Sequence, residues 1–128
     1  MKLENATGRT YACAAVRGIA SPNIDVKDLD RLISVAVGFG KRHNVPLWVG
    51  EFSAAKDSGP DGFQLNSVRE RIRLFERYGI HWTYWNFREP TSPDGMGLHT
   101  MQRNHGGDNP INAPLLELLS DGFNGNVK

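Results

Sequence analysis

"VPLWVGEF", residues 45–52, decides how this chain is read. Val45, Leu47, Trp48 and Val49 have the apolar density of a short, fully covered strand. Pro46 lies near the start of the run, where one missing N–H is tolerated. The run closes on Gly50, Glu51 and Phe52. A carboxylate at the end of a buried strand is costly to desolvate unless partners compensate it. Glu51 is therefore either paired for structural reasons or exposed at a site. Period-two alternation puts it in step with Leu47 and Val49, on the concave side of a sheet.

On either side of this strand the periodicity changes from two to 3.6. Upstream, Leu29, Leu32, Ile33, Ala36 and Phe39 recur at helical spacing, after Asn23 or Asp25 as N-cap and Asp28 in the first turn. Lys41, Arg42 and His43 complement the helix C-terminus, and Asn44 stops it. Downstream, "SAAKDSGPDGF" is punctuated as a loop. Ser67 and Glu70 in "SVRE" then have the spacing of a capping box and predict a helix start there. Val68, Ile72, Leu74 and Phe75 supply its apolar stripe, Arg69, Arg71, Arg73 and Arg77 its other faces, and Gly79 its C-terminal stop. "IHWTYWNF", residues 80–87, is an aromatic and β-branched strand. A long loop over residues 88–112 follows, then a short helix "APLLELLSDG" with Asn112 as cap and Gly122 as stop. Residues 10–16, "TYACAAV", predict a further strand at the front.

The order strand–helix–strand–helix–strand–helix is the pattern of an α/β fold with parallel strands. In such folds ligands bind beyond the carboxyl ends of the strands. Glu51 and the Trp85–Asn86 pair both fall there, at the ends of consecutive strands. If Trp85 faces that site, His81 and Thr83 share its face. Trp48 and Trp82 are expected instead to pack strands against helices.

Composition excludes several function classes. The chain has 128 residues, enough for one compact domain, and a formal charge of +1. That balance gives no basic field for nucleic acid. No apolar run approaches the roughly 20 residues a membrane span needs. "MKLENATGRT" has no apolar core of a secretory signal, and Asn5 begins an N-x-T sequon. Cys13 stands alone and reads as a small buried hydrophobe. His81, His99 and His105 show no metal-binding spacing, so no metal and no cofactor is expected. No glycine-rich strand-to-helix turn offers a nucleotide site, since "HGGDNP" has no strand before it.

A carboxylate beside an aromatic suits sugar chemistry: it can trap an oxocarbenium-like centre, and aromatic faces pack on the C–H faces of sugar rings. "VPLWVGEFSA", then a helix, then "GIHWTYWNFRE", resembles the seventh and eighth strands of glycoside hydrolase family 5, the cellulases, mannanases and relatives built on (β/α)8 barrels. The tail "GMGLHT…LLELLSDG" resembles the family's last helix, so the likeness runs over about residues 25–122. It implies that Glu51, in "GEF", is the nucleophile, and that Trp85, in "YWNF", lines the subsite of the attacked sugar. Asn86 and His99 are then polar substrate contacts. It also implies a partial, half (β/α)8 barrel of about three parallel strands and three helices over residues 1–128, since a complete barrel takes about 250 residues. The family is often secreted.

The family's acid/base glutamate lies in an "NEP" motif, which this sequence lacks. "TYACAAV" offers Tyr11 but no histidine for the strand-six residues that flank the nucleophile. Retaining hydrolysis needs two carboxyls about 5–5.5 Å apart. Glu89 and Asp94 follow the last strand but read as solvated loop charges or N-caps. The expected function is that of a retaining endo-β-glucanase or related β-glycanase with an incomplete catalytic pair. The alternative is an inactive half-barrel that keeps a carbohydrate-binding surface. The expected partners are a β-linked oligo- or polysaccharide and further copies of the chain, joined through exposed strand edges.

Overall fold

The computed structural model describes residues 2–4, 10–12, 25–55, 62–87, 96–99 and 111–125. The chain divides into two compact units, Met1–Leu47 and Trp48–Lys128.

In the first unit, β1 (Lys2–Glu4) and β2 (Thr10–Ala12) pair antiparallel, with Leu3 opposite Tyr11. The expected first parallel strand thus begins correctly but joins a hairpin-like pair. A neighbour separated by only five residues of sequence can reach an antiparallel register without a crossover, whereas a parallel partner needs one. Helix α1 (Val26–His43) takes Asp25 of its two candidate caps: the Asp25 side chain accepts from the Asp28 N–H at 2.8 Å, and Asn44 closes the helix as expected, in the left-handed region at φ 50°. Its buried face is narrower than the apolar stripe suggests. Leu29 and Val37 are buried, Leu32 is exposed, and Gly40 sits where a Cβ would meet Leu47 at 3.0 Å.

The second unit carries the site. Strand β3 (Trp48–Phe52) leads through α2 (Phe63–Tyr78) to β4 (His81–Tyr84), which lies parallel to β3; α3 (Ala113–Phe123) ends the unit. Among the described residues there are thus two parallel strands rather than three, and no barrel is closed. Helix α2 starts at Phe63, after Gly62, not at Ser67. The predicted capping box is spent inside the helix: the Ser67 Oγ accepts from Arg71, and Glu70 pairs with Arg73 at 2.9 Å. Gly79, at φ 65°, ends it as expected.

The core lies between α2, α3 and one face of β3–β4. Val68, Ile72 and Leu115 are fully buried, each stabilising by about 1.5–3 kcal/mol. Phe52 meets Phe75, Trp82 and Tyr84 edge to face, with centroids 5.1, 5.5 and 5.4 Å away. Trp82 stacks on Phe123 at 4.6 Å and its indole N–H donates to Glu76, so it packs on the helices as expected. Gly122 is not the stop of α3. It lies in the last turn, where a Cβ would come within 3.0 Å of Trp82 and 3.2 Å of Ile72. The described residues of the other face are exposed, so β3 is not the fully covered strand its composition suggests. Trp48 is 69% exposed, and His81 and Thr83 are exposed beside it.

Candidate active site

The pairing of β3 with β4 is not regular. Val49 lies opposite Trp82 and Phe52 opposite Tyr84, so Gly50 and Glu51 together oppose Thr83. This is a bulge: one extra residue in β3. Its consequence falls on the carboxylate. Phe52, not Glu51, comes into step with Val49, and Phe52 is buried while Glu51 is exposed. The expected alignment of Glu51 with Leu47 and Val49 is therefore corrected: the inserted residue shifts the alternation by one. Alternation from Phe52 puts Glu51 on the face opposite the helices.

The end of β4 lies directly against this bulge. The Trp85 N–H donates to the Phe52 carbonyl at 2.9 Å, and the Trp85 side chain is 45% exposed. Asn86 follows through a cis peptide bond and is half-buried; its Oδ1 is buried and has no hydrogen-bond partner among the described residues. Two strips of the long loop are laced to this end. The Leu98 N–H donates to the Asn86 carbonyl at 2.8 Å, and the His99 N–H to the Phe87 carbonyl at 3.0 Å. His99 also bridges antiparallel to Ile111. The Tyr84 hydroxyl donates to the Met96 carbonyl at 2.7 Å, and the Ser53 hydroxyl to the Met96 Sδ.

The backbone segments carrying Glu51, Trp85 and Asn86 thus meet, with His99 next along the loop against the exposed Phe87 ring at 4.8 Å. Glu89, Asp94 and His105 lie outside the described residues. His81 opens β4, at the far end from Trp85. Among the described residues, no three His, Cys, Asp or Glu side chains gather so as to hold a metal ion, and no helix is long and apolar enough to cross a membrane. Burial holds the Arg71 guanidinium below its ordinary pKa, with the nearby Tyr84 acting in the opposite sense.

One participant carries no sequence signal. Gln64 is the buried polar residue of the described core. Its Nε2 donates to the Ala54 carbonyl at 2.8 Å, and its Oε1 accepts from the Asn112 Nδ2 at 3.1 Å. A glutamine in the first turn of a helix looks like solvated surface. Only its tertiary neighbours make it internal.

No family model and no curated protein matches the sequence. Solved structures do match in fold. The endoglucanase Cel5A from Thermotoga maritima aligns with a TM-score of 0.59 and 25% identity over 81% of this chain and 30% of its own. The same enzyme in complex with mannotriose aligns with a TM-score of 0.58 and 24% identity, over 81% and 30%. Cellulose synthase subunit Z from Clostridioides difficile aligns with a TM-score of 0.58 and 16% identity, over 79% and 31%. The chain spans about 30% of the length of these proteins. Its fold is a partial form of the glycoside hydrolase family 5 cellulase fold.

Proposed function

We propose that this chain carries the nucleophile side of a retaining β-glycanase site, acting on a β-linked glucan or mannan oligosaccharide. The observation that supports this most is the junction of Glu51 and Trp85: an exposed carboxylate one residue from the carbonyl that anchors an exposed tryptophan. Cel5A has been solved with cellobiose and with mannotriose, which supports a β-linked substrate for the shared fold.

In this reading Trp85 supports the sugar ring, and Asn86 and His99 offer polar contacts. The Glu51 carboxylate attacks the anomeric carbon; the bond to the leaving oxygen breaks, its electron pair stays on that oxygen, and a glycosyl ester forms on Glu51. An ordinary sugar leaving group must be protonated as it departs. Glu51 is the sole carboxylate at the ends of β3 and β4 among the described residues, so the acid has to come from elsewhere. We read residues 1–128 as one partial barrel domain, and the edges that β3 and β4 leave unpaired among the described residues as surfaces where further copies join.

A substrate whose leaving group needs no proton isolates the Glu51 step. An activated 2-fluoro β-cellobioside with a dinitrophenolate leaving group should label the chain once, at Glu51, as seen by intact mass and peptide mapping. Absence of the label while cello-oligosaccharides still quench Trp85 fluorescence favours the second reading, an inactive carbohydrate-binding half-barrel. That reading is supported by the same missing acid. Loss of both label and binding removes the sugar site altogether.

A further inference from the structure

The hydrogen bonds at the strand ends form a closed circuit. From the Phe52 carbonyl it runs to the Trp85 N–H at 2.9 Å, and through the next peptide to the Asn86 carbonyl, which accepts from the Leu98 N–H at 2.8 Å. The Leu98 carbonyl accepts from the Asn112 N–H at 2.8 Å. The Asn112 side chain donates to Gln64, and Gln64 donates to the Ala54 carbonyl, two residues beyond Phe52. The circuit therefore joins the end of β3, the end of β4, the loop and the first turns of α2 and α3. The link between Asn112 and Ala54 is a side chain, and it is buried: Gln64 is 5% exposed. Asn112 is held from its other side by capping α3, where its Oδ1 accepts from the Leu115 N–H.

We propose that Gln64 is a positioning residue for the Glu51–Trp85 site. It fixes the distance between the two strand ends without touching the substrate. The chemistry favours this role for an amide. Ala54 presents an acceptor and Asn112 a donor, and the glutamine amide answers both at once without charge. A carboxylate could not donate to Ala54, and an apolar side chain would leave buried polar groups unpaired. The segment so held, residues 52–54, begins one residue after Glu51. Reaction rates are sensitive to displacements of an ångström, so a loosened segment lowers reactivity more than affinity.

This inference rests on the glycosidase reading for its consequence, but its structural half is tested separately. In Gln64→Leu, amide hydrogen exchange at Trp85, Leu98 and Asn112 should quicken roughly tenfold, while Ile72 in the middle of α2 keeps its protection. The maximal rate of Glu51 labelling should fall roughly 10²-fold with little change in cello-oligosaccharide affinity. Ile72→Val, which weakens the core away from the circuit, should leave both readouts in place. If Gln64→Leu does not fold, Asn112→Asp serves: it keeps the cap acceptor for Leu115 and removes the donor to Gln64. Unchanged exchange at Trp85 and Leu98 overturns the proposal, whatever the sugar experiments give. Changed exchange with an unchanged labelling rate reduces Gln64 to a structural residue and overturns it too. A wild-type chain that takes no label defeats the glycosidase reading, while the exchange experiment still decides whether Gln64 holds the strand ends.

Discussion

The indole N–H of Trp48 donates to the Thr83 hydroxyl at 3.1 Å, across the face of the parallel pair that β3 and β4 leave open. A tryptophan that apolar patterning assigns to the core is thus an exposed, hydrogen-bonded residue. Its neighbour in pattern, Trp82, is the one that packs, stacked on Phe123.

The two tryptophans should separate cleanly in stability. Trp48→Ala loses one exposed hydrogen bond and should cost about 1 kcal/mol. Trp82→Ala opens a gap between β4 and α3 and should cost about 3–5 kcal/mol. Urea denaturation of both variants compares them, and equal costs would show that Trp48 is buried after all.

Gly122 should resist any side chain. A methyl group there meets Trp82 and Ile72 at 3.0 and 3.2 Å, so Gly122→Ala should destabilise by about 1–3 kcal/mol. At Gly50 a Cβ meets nothing within 4 Å, so Gly50→Ala serves as the tolerant comparison. Thermal unfolding that ranks them the other way contradicts this packing of α3 on the sheet.

Glu51→Gln should abolish labelling by the activated fluoroglycoside and leave cello-oligosaccharide binding in place. The amide keeps the shape of the carboxylate but is no nucleophile at the anomeric carbon. A labelled Glu51→Gln chain would place the nucleophile at another residue.

Among the described residues, β3 and β4 pair only with each other, so the outer edge of each presents backbone donors and acceptors without a ladder partner. Such edges and the exposed Trp48 favour association with a second copy. Sedimentation at micromolar concentration should give a species larger than 14.2 kDa. A stable monomer would show that the chain covers its own edges.

The sequence by itself determined the local parts of this protein. The Asn112 cap, the Asn44 and Gly79 stops, the buried stripe of α2 and the order β3–α2–β4 were legible, and the cap of α1 was narrowed to Asn23 or Asp25, because each depends on residues within a turn or two of one another. So was the placing of Glu51 and Trp85 at strand ends. The false capping box at Ser67 shows the limit of such local signals, for its members found other partners inside the helix. What the tertiary structure decided is which face each group takes. The bulge at Gly50–Glu51 exists only when β4 is paired with β3, yet it turns Glu51 out of step with Val49. Trp48 is exposed because, within the second unit, α2 and α3 pack on the face that carries Phe52 and Trp82. Gln64 becomes internal because Ala54 and Asn112 close over it from positions 10 and 48 residues away. Register, face and burial are properties of contacts between distant segments, and alternation along one strand does not encode them.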